Sequence, residues 1–248
     1  MTSLGTVLIT GGSRGIGAAT VRATAQAGYD VCFTYASRHD AANRLVAEVL
    51  ETGRSGCCIQ ADSGHPQAAE RILGEIPSEF LPLVGLVNNA GITGPLGSFL
   101  ETTPATMQAV FAVNVMGTML LSQGVVKHWR EQSRGGSIIN ISSIAAVLGA
   151  PGEYVHYAAS KAAVEGFTIG LAREIAQFDI RVNAVSPGTA LTEIHATAGE
   201  PGRPERVAAR IPMRRAAKPE EIAEAVLWLL SERSSYVTGT VLKVAGGL

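Results

Sequence analysis

Seven short apolar runs, each set off by longer helical stretches, recur from one end of the 248-residue chain to the other. They are TVLIT (6–10), VCFTY (31–35), CCIQA (57–61), LVGLVNN (83–89), SIINIS (137–142), IRVNAVS (180–186) and TVLKV (240–244). Between them apolar residues return three and four positions apart, as in AATVRATAQAG and PEEIAEAVLWLLSE. Such alternation demands right-handed crossovers and a parallel sheet covered by helices on both faces. Aromatic residues make up only 5% of the chain, so the core is aliphatic, as buried parallel strands require. The reading is one domain over residues 1–248, a doubly wound α/β fold of about seven strands. A closed eight-stranded barrel fits the strand count less well. One stretch breaks the alternation: 187–204, rich in Pro and Gly, extending to about 215. A loop that long in a compact domain is expected to be functional or mobile.

Several function classes drop out on composition. The net charge of −1 gives no electrostatic footprint for nucleic acid or anionic lipid. Cys32, Cys57 and Cys58 form neither a disulfide framework nor a zinc pattern, which suits a reducing, cytoplasmic setting. The opening MTSLGTVLITGGS does not read as a signal peptide, and no run approaches 18 uninterrupted apolar residues. Neither nucleic acid nor membrane is expected as a partner.

The first apolar run leads directly into TGGSRGIG (10–17) and then into an alanine-rich helix. Gly11, Gly15 and Gly17 permit positive φ and close approach to a ligand, and the helix N-terminus offers free N–H groups to a pyrophosphate. Gly11-Gly12-Ser13-Arg14-Gly15 also matches the nucleophile elbow of α/β-hydrolases, but too little chain precedes it to build that fold. A triphosphate-binding loop fails too, because Ala18-Ala19 follow the last glycine where Lys-Ser/Thr is needed. At the end of the second run an NAD-binding turn wants a carboxylate for the ribose 2′-OH. Here stand Tyr35, Ala36, Ser37 and Arg38. Arg38 and Arg14 suit a 2′-phosphate instead, so the expected cofactor is NADP(H).

Farther on, Ser142-Ser143 ends a strand and Tyr157 opens a helix with Lys161 four residues later, on the same face. An ammonium ~4 Å from a phenol at an effective dielectric of ~20 is worth ~4 kcal/mol, enough to lower its pKa by up to ~3 units before solvent exposure weakens it. That brings Tyr157 toward the range useful for general acid–base work. Tyr154 has Ala158 at the equivalent spacing and receives no such help.

Taken as a set, TGGSRGIG, Asp62, NNAG (88–91), Asn114, Ser142-Ser143, Tyr157-x-x-x-Lys161 and Pro187-Gly188 resemble the short-chain dehydrogenase/reductase family over essentially the whole chain. PGEYVHYAASK, GEPGR, IPMRR and SYVTG look like a bacterial sub-group of glucose-1-dehydrogenase-like or 3-oxoacyl-carrier-protein-reductase-like members. The resemblance implies a Rossmann-type fold and an oxidoreductase interconverting a carbonyl and a secondary alcohol. Tyr157 is then the acid/base, and Lys161 holds the nicotinamide ribose and depresses the Tyr157 pKa. Ser143, as the second serine of the pair, binds the substrate oxygen, and Asn114 positions a water that links Lys161 to solvent. For the cofactor it implies a cradle of Gly11, Ser13, Arg14, Gly15, Ile16 and Gly17, with Tyr35, Ser37 and Arg38 at the adenosine phosphate and Asp62 on the adenine. Asn89, Ala90 and Gly91 pack along it, while Pro187, Gly188 and Thr192 meet its carboxamide and pyrophosphate side. Two positions depart from the family pattern: Ser63 follows Asp62 where an aliphatic residue is usual, and Ser143 to Tyr157 is one residue longer than in many relatives.

The remaining residues read as structure. His39, His65, His128 and His195 show no metal spacing, and no metal is expected. His195 lies in the irregular stretch, where contact with substrate is the alternative to packing; His156 reads as packing. The helix around Trp228 reads as core or subunit face, and Arg203, Arg206 and Arg210 as a solvated helix stripe, the alternative being a clamp for an anionic substrate. A reductase of acyl-carrier-protein substrates is the rival activity, with Lys127, Arg130, Arg134 and Arg173 as its thin basic dock. A nucleotide-sensing protein without turnover is the rival class, opposed by Ser143, Tyr157 and Lys161. The resemblance implies a homotetramer or homodimer, for which Met107, Val110, Phe111, Val164, Phe167 and Leu171 are the candidate seam.

Overall fold

The computed structural model describes residues 3–80 and 82–248. The chain begins with strand β1 (Thr6–Ile9), helix α1 (Gly15–Gln26), β2 (Asp30–Tyr35), α2 (His39–Glu51), β3 (Gly56–Gln60) and α3 (Ala68–Glu75). It crosses to β4 (Leu83–Asn88), α4 (Pro104–Phe111), α5 (Thr118–Glu131), β5 (Gly136–Ile141), α6 (Ala145–Leu148) and α7 (Val155–Ile175). It closes with β6 (Ile180–Pro187), α8 (Ile194–Thr197), α9 (Arg203–Ala208), α10 (Pro219–Leu230) and β7 (Val241–Val244). All seven apolar runs are strands, and they pair in parallel in the order β3-β2-β1-β4-β5-β6-β7.

Apolar side chains on alternate strand positions feed two cores, one on each face. Val7, Ile9, Val31, Phe33, Val87 and Ile139 pack under α1, α2 and α10. Leu8, Cys32, Leu86, Ile138 and Val182 pack under α3, α5 and α7. The helix around Trp228 is core-forming, since Ile222, Ala223, Val226 and Leu229 are buried. Its start is set by Pro219 in the first turn and by Glu221, whose Oε2 accepts the Lys218 N–H at 2.8 Å.

The sheet order reverses between β1 and β4. Connections leave β1 toward β3 on one side and β4 toward β7 on the other, so a crevice opens at the strands' carboxyl ends there.

Two expectations change. The stretch 187–204 is not an unbroken loop, because α8 and the start of α9 lie in it. Val110 and Val164 are buried within the chain, so they are core rather than subunit seam, whereas Phe111 is 38% exposed. Between α4 and α5, residues Ala112–Gly117 form a π-turn, and the run Pro104–Glu131 is continuous, with a mean hydropathy of 1.6 over its most apolar stretch. By length and composition that run would suffice to cross a membrane. Its inner face is instead committed to the protein core through Val115, Leu121, Val125 and Trp129.

Candidate functional site

The crevice is a cavity of about 710 Å³ that runs from the glycine turn after β1 to the segment carrying α8 and α9. At its first end the turn is held by the residues that follow β4. Thr10 Oγ1 accepts the N–H groups of Asn89 (3.0 Å) and Ala90 (2.9 Å), and Asn89 Nδ2 donates to the Thr10 and Gly11 carbonyls at 2.9 and 3.0 Å. Gly11 has φ +64°, and a Cβ on Gly17 would lie 2.2 Å from the Gly11 oxygen. Larger residues would break this turn. Sequence reasoning missed Thr10, whose side chain ties β1 to NNAG; a threonine at a strand end carries no local signal of that.

The cradle suits a dinucleotide. Helix α1 has no acidic residue in its first turn and no side-chain cap on its N-cap, Arg14, so its N–H groups are left for an anion. Ser13, Ile16, Tyr35, Ser37, Arg38 and Asp62 border the same cavity. Asp62 Oδ1 accepts the Gly64 N–H at 2.9 Å. Pro187, Gly188 and Thr192 border the middle, where the Thr192 side chain lies over Gly15. A Cβ on Gly91 would sit 3.3 Å from Asn114 Oδ1 and 3.4 Å from Lys161 Nζ, so that glycine keeps an open space beside both.

Ser143, Tyr157 and Lys161 converge at the middle of the cavity, from the end of β5 and one face of α7. The two serines separate cleanly. Ser142 is buried and donates to Glu165 Oε1 at 2.8 Å, whereas Ser143 borders the cavity with Tyr157 and works to lower the phenol's pKa. Burial raises the Tyr157 pKa, and neither the nearby Ser143 hydroxyl nor the positive charge of Arg203 offsets it. The expected lowering by Lys161 is therefore not found. The Lys161 ammonium donates to the Ile141 carbonyl at 2.7 Å and stands 5.7 Å from the Tyr157 ring centre. Its own burial pushes Lys161 down to about 8. Asn114, on the π-turn, is bonded to Ile92 on both amide atoms at 2.9 Å and donates to Ser160 Oγ at 3.0 Å.

At the far end, Tyr154 lies edge-on to Tyr157 with ring centres 5.2 Å apart. His195 is buried and donates Nε2–H to the Ala190 carbonyl at 3.0 Å; burial holds its pKa below the usual value. His156 packs as expected, with Nε2 on the Thr93 carbonyl at 2.8 Å. Arg203 is not part of a solvated stripe. Its side chain is 12% exposed and pairs with Glu153, which sequence reasoning did not single out. Arg203 and Arg206 are thereby committed to carboxylates rather than free to clamp an anion, while Arg210 borders the cavity. Lys127, Arg130, Arg134 and Arg173 lie near the ends of α5 and α7 that feed β5 and β6, at the amino ends of the strands and so opposite the cavity.

A family model described as Enoyl-(Acyl carrier protein) reductase matches residues 11–248. The chain is 43% identical to the uncharacterized oxidoreductase YgfF of Escherichia coli (strain K12), over 97% of this chain and 98% of that one. A short-chain type dehydrogenase/reductase from Mycobacterium marinum superposes with a TM-score of 0.92 at 32% identity, over 99% of this chain and 95% of that one. A blue fluorescent protein from a metagenomic library, solved in complex with NADPH, gives 0.89 at 34%, over 99% and 98%. With its parallel sheet, glycine turn and Ser143–Tyr157–Lys161 grouping, the chain belongs to the short-chain dehydrogenase/reductase family of oxidoreductases.

Proposed function

We propose that the protein is an NADP(H)-dependent, cytoplasmic oxidoreductase that interconverts a carbonyl and a secondary alcohol. The observation that carries this reading is the meeting of Ser143, Tyr157 and Lys161 in a cavity whose other end is the glycine cradle. The cofactor, when bound, supplies or accepts the hydride. In reduction Tyr157 Oη gives its proton to the substrate oxygen, and in oxidation it takes it back. Ser143 Oγ holds that oxygen and, with Tyr157, stabilises negative charge as it develops. Lys161 Nζ donates one N–H to the Ile141 carbonyl, and its remaining N–H groups would hold the ribose of the bound cofactor. Asn114 fixes Ile92 and Ser160 around this centre, and the family resemblance would give it the water that links Lys161 to solvent.

NADP(H) is favoured by Arg14 and Arg38, which border the adenosine end, and by the lack of a carboxylate at Tyr35–Ser37. The unpaired cysteines accord with a reducing compartment. The basic dock of the acyl-carrier-protein reading lies away from this chain's cavity, so a small-molecule substrate is the better reading.

The test is steady-state kinetics on an accepted carbonyl, with cofactor affinity measured separately by fluorescence. Tyr157→Phe should keep fold and NADPH affinity while turnover falls ~10²-fold or more. Tyr154→Phe should keep most of its rate. A Tyr157→Phe enzyme with near-normal kcat, beside an inactive Tyr154→Phe, would overturn the reading.

A further inference from the structure

The substrate end of the cavity is closed by two segments some fifty residues apart. Glu153, just before α7, receives Arg203 Nε at 3.2 Å and Arg203 Nη2 at 2.5 Å. Its other oxygen receives Arg206 Nη2 at 2.9 Å, and Arg206 also binds Glu200. The Arg203 guanidinium lies 5.2 Å from the centre of the Tyr154 ring, which in turn meets Tyr157 edge-on. Arg203 is thus a fixed cation in the wall beside the reacting groups, held by a fork that lysine cannot reproduce.

We propose that Arg203 is a positioning residue for the Tyr157 centre: clasped by Glu153 and laid against Tyr154, it fixes that wall and presents a permanent positive charge to the phenol. The proposal rests on the reading of Tyr157 as the acid/base. Its support is geometric first, since the chain spends a mostly buried guanidinium, a carboxylate and an aromatic ring on one contact at the mouth of the site. The electrostatics agree. Burial raises the phenol's pKa, and of the side-chain charges Arg203 is the one that draws it down.

The ionisable groups sharing this end of the cavity are Lys161 and Tyr154 from α7 and its cap, and Glu153 before it. From the other wall come Glu193 before α8 and His195 on it, and Arg203 and Arg210 on and after α9. Glu153 is held below its ordinary value: burial works against this, but the bonds from Arg203 and Arg206 outweigh it. It therefore stays a carboxylate at neutral pH and keeps Arg203 in place.

The experiment follows the tyrosinate absorbance of protein saturated with NADP⁺ from pH 6 to 11. Each variant is read against its own Tyr157→Phe version, so that the difference isolates one phenol. Arg203→Met should move the Tyr157 midpoint upward by about half a unit or more. Arg203→Lys should stay within a few tenths of the parent while losing thermal stability. Glu153→Gln keeps the guanidinium and should not move the midpoint upward, which preserves the test if Arg203→Met folds poorly. An unchanged midpoint in Arg203→Met overturns the proposal, as do equal upward shifts in the Arg203→Met, Arg203→Lys and Glu153→Gln variants. Turnover of Tyr157→Phe is measured alongside. If that variant remains active, the acid/base reading fails; if it is dead while the midpoints stay put, only the role of Arg203 fails.

Discussion

Lys161 is asked to hold a charge in a place that resists charge. Burial lowers its pKa to about 8, whereas in an unfolded chain a lysine keeps its proton to ~10.4. Between those values the unfolded chain binds more protons than the folded one, so this residue makes stability rise with pH from about 8 to ~10.4. Below that window the full cost of burying the ammonium applies. Lys161→Met should flatten this rise in urea titrations at pH 7.5 and 10 and leave stability at neutral pH equal or higher, while NADPH affinity falls. A variant as pH-dependent as the parent would show the ammonium is not the source. At the other end of the cavity, the parent should bind NADPH at least ~10-fold tighter than NADH, as ~1.4 kcal/mol from a paired phosphate implies. Arg38→Ala should erode that ratio in fluorescence titrations; equal dissociation constants in the parent would exclude the assignment.

The glycine turn and α1 act as one element, and the turn leaves no room for a side chain. Gly17→Ala puts a methyl 2.2 Å from the Gly11 carbonyl and 2.5 Å from Asn89 Nδ2, so the turn must open. A stability loss of ~1–3 kcal/mol in denaturant is expected, with nucleotide affinity down by more than ~10-fold. A Gly17→Ala protein with unchanged nucleotide affinity would mean that the cradle does not receive the cofactor. The strands were legible because buried parallel strands are written as unbroken apolar runs closed by turn residues. The Tyr157–Lys161 face was legible from helical spacing, but the direction of the ammonium was not. It is set by the Ile141 carbonyl, twenty residues back on another element. The fold of 187–215 was hidden for the same reason: its anchor, Glu153, lies fifty residues before Arg203 and leaves no local pattern. The π-turn was invisible too, since AVNVMG reads as ordinary helix.

At the scale of the whole molecule, the run Pro104–Glu131 leaves Phe111 38% and Met116 51% exposed. We propose that a second copy covers this face, in a homodimer or homotetramer. Light scattering at micromolar concentration should return a multiple of the 25.8 kDa chain mass, and Phe111→Glu with Met116→Glu should lower it. A 25.8 kDa particle in the parent would refute the assembly. The clasp across the cavity has a further consequence, in terms of ionic strength. Its outer pair, Arg206 with Glu200, is 43% and 29% exposed, while Arg203 with Glu153 is 12% and 18%. Rising ionic strength weakens solvent-exposed ion pairs and screens sheltered ones much less. Added salt therefore loosens the clasp from the outside inward. The wall around the substrate softens in brine before the inner Arg203–Glu153 pair lets go.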